Sequence, residues 1–181
     1  MKEYVNLINN NGIGIIEFFH EQSNSLPSNI LNELAENISQ AGNDENINII
    51  ILQSGGDRVF CAGASFEELM SIKNEEQGKL FFSGFANVIN SARKCPKLII
   101  GRVHGKAVGG GVGIAASTDY CFGTKHSLIK LSELSIGIGP FVVAPPIERK
   151  IGRSSFSQLA INATKWHSAE WAKQKGLFAE V

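Results

Sequence analysis

Two glycine-containing segments have the residue types and spacing to do chemistry: Phe60-Cys61-Ala62-Gly63-Ala64-Ser65 and Ala107-Val108-Gly109-Gly110-Gly111-Val112-Gly113. A glycine-rich turn that opens a helix leaves backbone N–H groups uncommitted at the positive end of the helix dipole, where a developing oxyanion is stabilised. Two such turns facing one pocket would hold a carbonyl oxygen while negative charge builds on it. Ser65-Phe66-Glu67-Glu68 also has the form of a capping box, with Ser65 as N-cap and Glu68 reaching back to it. A helix start capped in that way would keep the Ala64 amide in place.

In their order and in the sequence around them, the two segments resemble the enoyl-CoA hydratase/isomerase (crotonase) family. The resemblance covers nearly the whole chain, from Val5 to Val181. It implies enolate chemistry on an acyl-CoA thioester, with the Ala64 and Gly110 amides as the oxyanion hole. It further implies that coenzyme A is bound as part of the substrate, not as a resident cofactor, through contacts near Ala62 and Phe66. The family's proton-carrying Glu falls in a P-E-x-x-x-G type segment, which here is Leu131-Ser132-Glu133-Leu134-Ser135-Ile136-Gly137. Glu133 is the residue carried over, and burial between Leu131 and Leu134 would raise its affinity for protons toward the range of a general acid/base.

The pattern departs from that of the hydratases at one position. Those enzymes usually carry a second Glu at the third position after the middle glycine, and here that position is Gly113. The family's isomerases work with a single carboxylate. Pro140-Phe141-Val142-Val143 is bulkier than the family's small residues there, and should reshape the acyl end of the pocket. Asn24-Ser25-Leu26-Pro27, Phe60 to Glu68 and Gly137-Ile138-Gly139-Pro140-Phe141 are similar to bacterial methylglutaconyl-CoA hydratases. Hydration of a 2-enoyl-CoA is therefore the leading expectation. Double-bond isomerisation and a low-turnover acyl-CoA-binding module are the alternatives. Glu148 could replace the missing carboxylate, although Arg149 and Lys150 beside it suggest an exposed ion pair.

The elements that must position these residues alternate along the chain. Tyr4 to Ile8 and Ile13 to Phe19 read as strands joined by Asn9-Asn10-Asn11-Gly12. Pro27 to Ala41 reads as a helix with Leu31, Leu34 and Ile38 on one face. Ile47 to Leu52 is a nearly continuous apolar run, predicting a buried strand that leads into the first glycine loop. Helices are predicted over 66–72 and 75–93, then a strand over 97–103 leading into the second loop, and a short buried helix over 111–116. Short strands over 119–122 and 128–131 and helices over 155–163 and 169–173 complete the chain, with the Pro/Gly-rich stretch from Gly137 to Pro146 as a loop. Strand, loop and helix, repeated, predict an α/β fold with a mostly parallel sheet and right-handed crossovers. The family's form of it is a ββα spiral, with residues 1–181 as one core domain. Family members continue past the position of Val181 into helices that cover the acyl pocket and build trimers or hexamers. Their absence here would leave apolar surface uncovered.

Composition excludes several other classes. The 181 residues carry no net charge, with 43% hydrophobic and 19% charged, which gives no electrostatic case for nucleic acid or an anionic membrane as the main partner. The start, Met1-Lys2-Glu3-Tyr4-Val5, lacks the apolar stretch of a signal peptide, and Arg102, His104 and Lys106 interrupt the most apolar region. Cys61, Cys95 and Cys121 have neither paired nor metal-ligand spacing, which favours free thiols in a reducing cytoplasm. Cys61 reads as a small buried hydrophobe, and Asp119 as part of a turn into the next strand. The four histidines fall in no ligand spacing, so no metal is expected. There is no G-x-S-x-G elbow of a serine hydrolase.

Overall fold

The computed structural model describes residues 3–181. The chain opens with β1 (Tyr4–Asn10) and β2 (Ile13–Phe19), an antiparallel hairpin closed by Asn11-Gly12. Both loop residues have positive φ, 52° and 88°, the two-residue type I′ geometry that Asn-Gly favours. So tight a loop leaves Asn9 and Asn10 in register with Gly14 and Ile13, and β1 therefore runs past Ile8.

The remaining elements follow as β3 (Ser25–Leu26), α1 (Ser28–Asn43), β4 (Ile49–Ser54), β5 (Val59–Cys61), β6 (Gly63–Ala64), α2 (Phe66–Ser71) and α3 (Glu75–Lys94). After them come β7 (Ile99–Val103), β8 (Lys106–Val108), α4 (Gly110–Ser117), β9 (Tyr120–Gly123) and β10 (Leu128–Lys130). A 3₁₀ turn (Glu133–Ile136), α5 (Ala144–Ile161), β11 (His167–Ser168) and α6 (Ala169–Lys175) close the chain.

The larger sheet has the order β1-β2-β4-β7-β9, and every pairing after the first hairpin is parallel. A smaller sheet, β11-β10-β8-β5, is parallel except for β11, and β3 pairs with β6. The fold is thus α/β with mostly parallel sheets, as the alternation of elements predicts. One face of the larger sheet is buried through Ile16, Phe18, Ile50 and Leu52, while Ile49 and Ile51 on the other face are only half-buried. β4 therefore alternates, where its unbroken apolar run predicted burial on both sides. Leu31, Leu34 and Ile38 of α1 are buried, and Gly111 to Ser117 of α4 are buried on every side, as a uniformly apolar helix must be.

The stretch read as a loop from Gly137 to Pro146 ends in a helix. α5 starts at Ala144 and takes Pro145 and Pro146 into its first turn, where a missing N–H costs no intrahelical bond. It breaks at Gly152, with φ 75° and ψ 159°, and only the part beyond the break was visible as a helical pattern. No helix among the described residues is long and apolar enough to cross a membrane.

Candidate active site

β5, β8 and β10 are adjacent and parallel, so their C-terminal ends lie side by side. The chain leaving those ends forms the Ala62–Ser65 segment, the Gly109–Gly110 turn and the Ser132–Glu133 segment. In open parallel sheets the crevice beyond the carboxyl ends of the strands is where ligands bind. The sequence placed the two glycine loops directly after the strands that became β4 and β7. Each loop is instead preceded by a strand of the smaller sheet, only three residues long.

The first loop is held by its own backbone and by β3. Gly63 has φ +97°, a conformation that glycine adopts without strain. The Ala62 amide donates to the Asn24 carbonyl at 3.0 Å, and the Ser65 amide donates to the Leu26 carbonyl at 3.0 Å. Ser25 Oγ donates to the Ala64 carbonyl at 3.0 Å. Ser65 caps α2 as predicted, its Oγ accepting from the Glu68 amide at 3.3 Å. The second half of the capping box is replaced. The Glu68 carboxylate turns to α1, accepting from the Ser28 amide at 3.0 Å and from Ser28 Oγ at 2.7 Å. It supplies the start of α1 with an acceptor that Pro27, at the N-cap position, does not provide.

The second loop turns at Gly109, φ +53°, whose amide donates to the Lys130 carbonyl at 2.9 Å. The first bonds inside α4 come from the Val112 and Gly113 amides to the Gly109 carbonyl, at 2.9 and 3.3 Å. Gly110 and Gly111 thus precede the first intrahelical donor, where amides lack a helical partner. Close approach explains the glycines. A Cβ on Gly109 would lie 3.1 Å from Glu133 Oε1, one on Gly110 would enter the Phe85 ring, and one on Gly111 would lie 2.6 Å from the Cys61 carbonyl oxygen. The two loops also meet: a Cβ on Gly63 would stand 3.8 Å from the Gly110 nitrogen.

Ala62, Ala64, Phe66, Gly110 and Glu133 all line one cavity of about 280 Å³. Glu133 Oε2 is buried and has no hydrogen-bond partner among the described residues. Burial pushes the Glu133 carboxyl above its ordinary range, and the Ser132 and Glu133 amides pull it only partly back. Leu131 is buried, but Leu134 is 48% exposed, so the apolar surroundings come from the cavity and not from both sequence neighbours. A carboxylate of this kind, facing two helix starts, can exchange a proton with a carbon next to a carbonyl.

Gly113 is buried, and Val143 fills the space its side chain would need. The bulk after Pro140 acts through Val142 and Val143, which line the cavity, while Phe141 is 84% exposed and packs back over Gly139. Val143 belongs to the bulky segment that the sequence pointed to, whereas Phe85 and Ser25 belong to the site and were given no site role from sequence. Only Phe85, on the apolar face of α3, had a signal there. Glu148 is engaged by Arg153 at 2.8 Å, not by its neighbours, and the Lys150 ammonium donates to the Asp119 carbonyl. Asp119 serves its turn, accepting from the Ile99 amide at 2.8 Å. Cys61 is fully buried, which pushes its thiol up to about 12. No group of three potential metal ligands occurs among the described residues.

The fold is thus an α/β one whose parallel strands deliver two glycine turns and a buried carboxylate to one cavity. The sequence pattern of the enoyl-CoA hydratase/isomerase family matches residues 9–181, and the chain belongs to that family. It is 29% identical over 148 residues to a Bacillus subtilis protein named "Probable enoyl-CoA hydratase", covering 81% of this chain and 57% of that one. It is 30% identical over 159 residues to human mitochondrial methylglutaconyl-CoA hydratase, covering 87% of this chain and 46% of that one. The chain thus spans about half the length of the curated relatives it matches. The crystal structure of enoyl-CoA hydratase from Bacillus anthracis superposes with a TM-score of 0.90 at 26% identity, covering 98% of this chain and 69% of that one.

Proposed function

We propose that this chain binds an acyl-CoA thioester and moves its α proton with Glu133 while Ala64 and Gly110 hold the thioester oxygen. The observation that carries the reading is the convergence of these residues on one cavity in which Glu133 Oε2 is buried without a hydrogen-bond partner among the described residues. Glu133 takes the proton from C2. The C–H electron pair moves toward the carbonyl, and the charge settles on the thioester oxygen between the two amides. In a 3-enoyl thioester the protonated Glu133, able to exchange with solvent, then delivers a proton to C4, and the double bond shifts from C3–C4 to C2–C3. One carboxylate suffices for this isomerisation, and Val143 in the space beside Gly113 favours it.

Hydration of a 2-enoyl thioester is the second reading, favoured by the similarity to hydratases. Water would add its oxygen at C3 and a proton would arrive at C2, with Glu133 serving both transfers. The three free cysteines fit a reducing compartment such as the cytoplasm. Exposed Phe66, Met70 and Phe141 fit assembly with further copies.

Exchange of the α proton in deuterated water tests the reading, because both reactions make or break the C2–H bond through the same carboxylate. Glu133→Gln keeps the shape and cannot accept the proton, so exchange should fall by about 10²–10⁴-fold while thioester binding survives. Unchanged exchange overturns the assignment of Glu133. Binding by the wild type without exchange points to the low-turnover module. Labelled water in a hydroxyacyl product separates hydration from isomerisation.

A further inference from the structure

Resting on the acyl-CoA reading above, we propose that the cavity takes a neutral, apolar acyl group and rejects a thioester carrying a second carboxylate at the far end of its acyl chain. Among the described residues that line the cavity there is no lysine, arginine or histidine. Glu133 is the only ionisable side chain there, and Ser25 and Ser132 are the only other polar ones. The rest is hydrocarbon, including Leu69, Phe81, Phe85, Ile138, Val142 and Val143. Lys130, close to Glu133 in sequence, gives this region only its carbonyl. Its ammonium lies 4.4 Å from the centre of the Trp166 ring.

A distal carboxylate brought into such a lining loses its hydration and gains no cation in return. It would also share the cavity with Glu133, whose Oε2 is already buried without a partner, and two carboxylates in one poorly solvated space repel. Both effects act in the same direction. The volume of about 280 Å³ holds roughly nine water-sized groups at about 30 Å³ each, which suits a short acyl chain beside its thioester. The phenylalanines at positions 66, 81, 82 and 85 offer flat faces to a branched, unsaturated chain. The methylglutaconyl group, which ends in a carboxylate, is thereby disfavoured, although sequence similarity points to it.

The test pairs 3-methylcrotonyl-CoA with 3-methylglutaconyl-CoA, which differ only in that carboxylate. Calorimetric binding to the wild-type chain should favour the neutral thioester by at least about tenfold. Glu133→Gln removes the like charge but supplies no cation, so the preference should narrow without vanishing. Phe82→Lys, at a lining position 38% exposed, should move the preference toward the carboxylate by about tenfold. Equal or tighter binding of methylglutaconyl-CoA by the wild type overturns this inference while leaving the acyl-CoA reading intact. Failure of both thioesters to bind overturns the acyl-CoA reading, and this inference with it.

Discussion

Gly113 and Val143 compete for one space: a Cβ on Gly113 would lie 2.6 Å from Val143 Cγ1 and 3.0 Å from its Cβ. Ile89 Cδ1 closes the other side at 3.3 Å. The absence of a side chain on α4 and the presence of one at the start of α5 are therefore a single packing decision.

Gly113→Ala should destabilise the fold by about 1–3 kcal/mol, the usual cost of overpacking. In a Val143→Gly background the same substitution should cost less than about 1 kcal/mol, because the obstructing atoms are gone. Urea denaturation of the four chains of this cycle measures the coupling, and additive effects would separate the two residues.

The stability of the protein should carry the signature of Glu133. Its folded-state carboxyl titrates above the ordinary range because burial disfavours the charge, so the native chain holds a proton that the unfolded chain has released. The stability linked to that proton is fully present below about pH 4.3, the ordinary value for Glu, and is lost as pH rises through the raised folded value. Glu133→Gln does not titrate. Its melting temperature relative to wild type should therefore be lowest near pH 4 and rise toward neutrality. A difference that stays constant with pH would mean that the carboxylate is solvated in the native state.

Glu68 should matter to both fold and turnover. Its carboxylate ties the start of α1, at Ser28, to the start of α2, directly after the Ala64 loop. Glu68→Ala leaves the Ser28 amide without that acceptor and should cost about 1–2 kcal/mol. Glu68→Gln keeps one acceptor oxygen and should recover part of the loss. Thermal melts together with kcat/KM for both variants check this, and a Gln variant as impaired as the Ala variant would argue against hydrogen bonding as the cause.

Much of this was legible in the residues themselves. Asn9-Asn10-Asn11-Gly12 announces a hairpin, whose loop the structure narrows to the last two of these residues, the spacing of Leu31, Leu34 and Ile38 announces a buried helix face, and the uniformly apolar run after Gly110 announces a buried helix. The two glycine loops and Glu133 were identified from their motifs, and they do face one cavity. What stayed hidden depends on contacts between distant parts of the chain. β5 and β8, at three residues each, are too short for alternation to register. Glu68 has a textual partner at Ser65 and a spatial one at Ser28, and the spatial one wins. Of the bulky segment Pro140-Phe141-Val142-Val143, read from sequence as reshaping the pocket, Pro140 and the two valines line the cavity while Phe141 is exposed. The start of α5 was masked because Pro145 and Pro146 read as breakers anywhere except in a first turn.

Cys61, Val108 and Lys130 end neighbouring strands that are separated along the chain by α2, α3 and α4. The crevice is consequently assembled from non-local pairings, and its formation must wait for chain closures whose entropic cost precedes any reward. During refolding, helical signal should return ahead of the capacity to hold a thioester. The two glycine turns should then mature together, since each lies against the other across Gly63 and Gly110.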